Sequence, residues 1–137
     1  KEDLDGALIR KATKFASVYM ENKGNGRFVL HDLPIEAQFS TIQSIQVKDF
    51  DGDGNLDALI AGNFFSPEFM TGRYDASIGL LLKGNGKGHF ASVPAASSSI
   101  SIIGDARATG MIRIENKTCL IAAVNSGKLQ VYQINSY

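Results

Sequence analysis

The chain has one cysteine, no charge of either sign in excess, and no long apolar run in its 137 residues. A single thiol, Cys119, excludes an internal disulfide and a cysteine-built zinc site, and its setting in Thr118-Cys119-Leu120-Ile121 reads as a buried strand residue rather than a nucleophile. The 14 Lys and Arg balance the 14 Asp and Glu. That neutrality, with no basic cluster, argues against a nucleic-acid or anionic-membrane partner, because phosphate contacts draw on grouped Lys and Arg. No apolar stretch approaches the ~20 residues that a membrane-crossing helix needs, so membrane insertion is not expected. Lys1-Glu2-Asp3 opens the chain without a charged-then-apolar leader, as a cut or processed end would. With 44% hydrophobic and 20% charged residues, the composition suits one folded domain.

What the chain does have is an internal repeat. Lys23-Gly24-Asn25-Gly26-Arg27-Phe28 recurs 60 residues later as Lys83-Gly84-Asn85-Gly86, running on to Phe90, and Pro34 and Pro94 follow the two copies. Leu59-Ile60-Ala61-Gly62-Asn63 recurs 61 residues later from Leu120 to Asn125. Two matches at one period predict a repeated structural unit. Within it, residues 45–50 alternate, residues 51–57 form an Asp/Gly turn, and residues 58–61 run apolar. Residues 76–82 give another apolar strand, Gly84-Asn85-Gly86 a tight turn, and residues 89–93 a fourth strand.

The pattern predicts an all-β protein made of four-stranded antiparallel blades of a β-propeller, about two to two and a half of them. Residues 16–34 supply a partial blade, 44–94 a full one, and 100–134 a partial one; self-association through open edges is one way to cover such a structure. Leu4, Leu8, Ala12 and Phe15 fall at helical spacing, so residues 1–15 are expected as a short amphipathic helical lead-in.

One motif carries chemistry. Asp49-Phe50-Asp51-Gly52-Asp53-Gly54-Asn55-Leu56-Asp57 places carboxylates at positions 1, 3, 5 and 9, glycine at the sharp sixth position and a backbone carbonyl at the seventh. Calcium takes six to eight oxygen ligands in a flexible cage, and Asp49, Asp51, Asp53, Asp57 and the Asn55 carbonyl supply most of them. Without a cation these carboxylates repel, so the loop is expected to be firm only with metal; the alternative is a solvated Asp/Gly turn that needs no ion. Position 12 is Ile60 in an apolar strand, which excludes a helix-flanked EF-hand. Magnesium suits the loop less well, since it favours a rigid octahedron and keeps its waters. Aligned on Asp49, residues 105–113 read as a second copy in which the turn survives, with Gly110 in place of Gly54, and Arg107 and Arg113 replace ligands.

The stretch from Ile45 to Asn63, followed by Leu81 to Phe90, resembles the FG-GAP/VCBS repeat. The resemblance implies integrin α-like propeller blades with calcium between the first two strands of a blade. It also implies that the chain is the C-terminal part of a longer bacterial VCBS-repeat protein that is secreted or surface-exposed. The expectation for the module itself is a secreted, periplasmic or cell-surface place and a binding or adhesion role.

Phe64 to Asp75 forms a long aromatic loop. Phe65, Phe69, Arg73, Tyr74 and Asp75 are candidates for contact with a protein or glycan, because such residues favour interface cores; the alternative is that Phe64, Phe65 and Phe69 fold back and cap the blade, with Arg73 and Asp75 paired. No nucleophile, base and orienter set stands out, which points to a noncatalytic module. The competing reading is part of a propeller-based polysaccharide-processing enzyme, using Asp75, Arg73, Tyr74 or His31 and requiring a carboxylate pair in a pocket. His31 and His89 follow the two Gly-Asn-Gly turns, and paired catalysis is not expected of them.

Overall fold

A computed structural model describes residues 6–134. The chain is all-β, in three antiparallel sheets that follow one another in sequence. The first pairs β1 (Val18–Asn22) with β2 (Phe28–Asp32). A 3-10 turn at Ile35–Gln38 leads to the second, where β3 (Ser44–Lys48), β4 (Asp57–Ala61), β5 (Leu80–Gly84) and β6 (Phe90–Val93) run as a meander. One helical turn, α1 (Ala95–Ser98), precedes the third, formed by β7 (Ala106–Ile114), β8 (Lys117–Val124) and β9 (Gln130–Ile134).

The strands form where alternation meets turn chemistry. Asn25 and the flanking Gly24 and Gly26 all adopt positive φ, which closes β1 onto β2 in the manner that Gly86 and Gly88 close β5 onto β6. The apolar run of β4 is explained by its two covered faces. Leu59 and Ala61 pack with Ile102, Leu120 and Ala122 between the second and third sheets. Ile60, on the opposite face, packs with Leu82 and Ala37. Leu59 and Leu120, matched in the repeat, therefore meet in one core. Cys119 is buried in β8, as expected.

A polar network joins the same two sheets. The buried Asn63 amide donates to the carbonyls of Ser77 and Gly104, both at 2.8 Å, and its oxygen accepts from Ser40 Oγ at 2.8 Å and Ser77 N–H at 3.0 Å. Ser77 is thus held by a side chain and not by a strand partner, which is why β5 begins at Leu80 rather than at Ala76. Ser44 Oγ meets Thr109 Oγ1 at 2.7 Å, and Gln46 Nε2 donates to the Thr109 carbonyl at 2.9 Å.

Two expectations are corrected. Residues 7–15 form no helix and are exposed, Leu8 and Phe15 among them; Leu4 lies outside the described residues. So short a helix is marginal in water without a surface to pack on, and the first sheet leaves Met20, Phe28 and Leu30 themselves exposed. Residues 105–113 are not a degenerate turn, because most of them are β7. Gly110 pairs with Ile121 in the ladder, and the turn is Glu115-Asn116. Pairing along β8, with the Ser44 and Gln46 bonds, outweighs the turn preference of a lone glycine.

The first sheet meets the second through Tyr19 against Phe90 and His31 against His89, each with ring centroids 5.5 Å apart. Beyond these contacts, Ile45 and Val47 of β3 remain 55% and 61% exposed and line an open apolar cleft of about 570 Å³.

Asn63→Ala leaves the Ser77 N–H and the Ser77 carbonyl without partners and the Gly104 carbonyl with the Ala106 N–H alone, which predicts a loss of about 2–3 kcal/mol. Urea unfolding checks this, and a loss below about 0.5 kcal/mol, the range of ordinary surface substitutions, would contradict it.

Candidate metal centre

The Asp49–Asp57 segment connects β3 to β4, and its geometry is organised from Asp57 outward. Asp57 is the first residue of β4, opposite Lys48, and is 1% exposed. Its Oδ2 accepts the Phe50 N–H and its Oδ1 the Gly84 N–H, both at 2.9 Å. A buried carboxylate is costly unless hydrogen-bonded, and here two backbone donors hold it from opposite sides. Gly84 is required for this: a Cβ there would lie 2.1 Å from the Leu56 carbonyl oxygen.

The rest of the loop is a chain of carboxylate-to-backbone bonds. Asp49 accepts from Gly52 N–H at 2.7 Å and Gly54 N–H at 2.9 Å; Asp51 accepts from Asp53 N–H at 3.2 Å, and Asp53 from Asn55 N–H at 2.8 Å. Gly52 and Gly54 take positive φ, as such a tight path demands. The outcome is a curl that brings carboxylate oxygens of Asp49, Asp51 and Asp57 within 4.8 Å of one another. Oxygens on one cation at 2.3–2.6 Å span at most about 5 Å, so this donor set fits a hard divalent ion. Asp51 and Asp57 also border a cavity of about 280 Å³ between the second and third sheets, which gives an ion a way in.

Asp53 departs from the expected ligand set. It lies outside the three clustered carboxylates, with its Oδ2 3.0 Å from Lys83 Nζ. The Asn55 N–H and then the Lys83 ammonium hold its carboxyl below the ordinary value. The Asn55 side chain lies over Gly86, where a Cβ would meet its Oδ1 at 2.4 Å. Lys83 itself escaped the sequence reading. It reaches Asp51 as well as Asp53, and those two carboxylates, in that order, push its pKa far up. A signal exists in the repeat: the lysine before each Gly-Asn-Gly turn meets an acid, and Lys23 donates to Glu21 at 2.6 Å.

The third sheet carries its own buried acid. Asp105 Oδ2 receives Arg107 Nη2 at 2.8 Å and Asn125 Nδ2 at 3.2 Å, while Oδ1 has no partner of normal geometry. Burial pushes this carboxyl up, but Arg107, Asn125 and the Phe65 backbone outweigh it, and the pKa lies below the ordinary 3.8.

The aromatic loop is divided. Phe64 bridges to Tyr74 through backbone bonds of 2.8 and 2.9 Å, and the Arg107 guanidinium lies 5.3 Å from the Phe64 ring. Arg73 stacks over Phe65 at 5.1 Å and, among the described residues, forms no ion pair with Asp75. Phe69 and Met70 are almost wholly exposed, so Phe69 does not fold back as a cap. Glu68 and Asp75 are exposed too. His31 bonds Glu21 at 3.0 Å, far from this loop in sequence and on a different sheet.

Against known protein families, curated proteins and solved structures, the chain finds no match.

Two outcomes are expected. Gly84→Ala forces its Cβ into Leu56 and pulls a donor from Asp57, which predicts a loss of at least about 3 kcal/mol by urea unfolding, as overpacking and a broken buried bond combine. A loss under about 1 kcal/mol would contradict it. Because the Asp105 pKa is depressed on folding, its contribution is present above the unfolded value and lost as pH falls through the folded one. Asp105→Asn is therefore expected to flatten the decline of the urea midpoint below about pH 4; a decline parallel to the parent's would exclude this.

Proposed function

We propose that the chain is a calcium-stabilised, noncatalytic binding module built of propeller-type blades of the FG-GAP/VCBS kind, from a protein that works outside the cytoplasm, secreted, periplasmic or at the cell surface. The observation that carries the reading is the convergence of Asp49, Asp51 and Asp57 on one point of a tight loop. The four-strand meander flanked by two-strand and three-strand sheets supports the blade interpretation. Calcium is preferred to magnesium because the loop is irregular and offers carboxylates and carbonyls, without the rigid octahedron that magnesium requires.

The metal's role is structural. Asp49 and Asp51, on the loop, and Asp57, which is anchored in β4 and tied to β5, would hold it, and its charge would offset their mutual repulsion. Contact with a protein or glycan falls to the loop after β4, where Phe69 is exposed and Arg73 and Phe65 form a flat stacked surface beside Tyr74 and Asp75. The enzyme alternative needs two carboxylates facing one another in a pocket; Glu68 and Asp75, exposed on the loop, give it no support.

Thermal melts in EDTA, in millimolar calcium and in millimolar magnesium test this. Extracellular calcium sites have Kd of about 10⁻⁴–10⁻³ M, and ligand at ten to a hundred times Kd adds about 1.4–2.7 kcal/mol. The expected calcium-specific rise in Tm is about 4–10 °C, absent in Asp51→Ala. A rise of equal size in Asp51→Ala, or no rise in the parent chain, overturns the assignment.

A further inference from the structure

Lys83 has no place in the ligand set, yet its position is tied to it. It sits in β5 between Leu82, paired with Ala58, and Gly84, whose N–H holds Asp57. The strand register therefore delivers the ammonium to the same end of the sheet as the loop. There Nζ bonds Asp51 Oδ2 and lies 3.0 Å from Asp53 Oδ2. Asp51 is thus both one of the three clustered carboxylates and the first partner of Lys83.

Four carboxylates crowd this loop, and Lys83 is the one cationic side chain among the described residues that pairs with them. An ammonium and a divalent ion cannot share Asp51 without mutual repulsion at a few ångströms, softened by solvent at this half-exposed site. The third sheet holds the fixed form of the same arrangement, with the Arg107 guanidinium bonded to the buried Asp105. Lys83 differs in standing on a flexible four-carbon stem at a half-exposed site, free to swing away.

We infer that Lys83 is a built-in competitor of the metal: it offsets part of the loop's negative charge before the ion arrives, gives up Asp51 when the ion binds, and so sets the calcium concentration at which the loop responds. This rests on the metal reading above. It assigns the tuning of affinity to a residue outside the ligand set, and it gives the loop two alternative cations.

The test is calorimetric titration of calcium into the chelator-stripped 137-residue chain, for the parent, Lys83→Met, Lys83→Gln and Lys83→Arg, with melts of each in EDTA. The two neutral variants are expected to bind calcium about ten- to a hundredfold more tightly, the span of ordinary site-to-site coupling, and to melt lower than the parent in EDTA. Lys83→Arg is expected to stay near the parent. Parent binding with equal or weaker affinity in both neutral variants overturns the inference and leaves the metal reading standing. Binding by none of the four proteins overturns both.

Discussion

The structure turns on one buried charge. Asp57 stands at the entrance of β4 with its carboxylate sealed from water, and a charge so placed has to be met by donors on every side. Phe50 and Gly84 meet it through their backbones. These two bonds fix how the loop before β4 curls and how β5 lies against it. They also place the bare Cα of Gly84 against the Leu56 carbonyl, so the β5–β6 turn cannot slide along the sheet without driving a side chain into that gap. Register, loop shape and the spacing of Asp49 and Asp51 all descend from this contact.

The second and third sheets are bound by a different logic. An apolar core of Leu59, Ala61, Ile102, Leu120 and Ala122 excludes water, and Asn63 and the Ser44–Thr109–Gln46 cluster fix orientation within it. Apolar packing is tolerant of small rotations; a four-bonded amide is not. The combination gives strength from area and specificity from a few satisfied polar groups.

Much of this was legible in the chain itself. The paired Lys-Gly-Asn-Gly segments marked two hairpins, the Asp49–Asp57 spacing marked the acidic curl, and the apolar run of β4 signalled a strand covered on both faces. What misled was local pattern without tertiary weight. Leu8 to Phe15 has helical spacing but no face to receive it. Asp105 to Arg113 has a turn-like glycine, but β8 and the second sheet claim its backbone. What was invisible was long-range: Lys83 lies 32 residues from Asp51, and only the strand register brings them together.

The two sheet-to-sheet contacts differ greatly in cohesion. Where the second and third sheets share a continuous core, the first touches the second through a few aromatic rings and leaves Ile45 and Val47 bare. A protein so divided opens by degrees, because regions with little buried apolar area unfold locally at far lower cost than the core. Its weakest seam runs between β2 and β3, and amides of Val18–Asp32 should exchange with solvent long before those of β4 and β8. The polypeptide would then behave as a firm two-sheet body carrying a detachable flap, with the acidic curl and Lys83 on the body side of the seam.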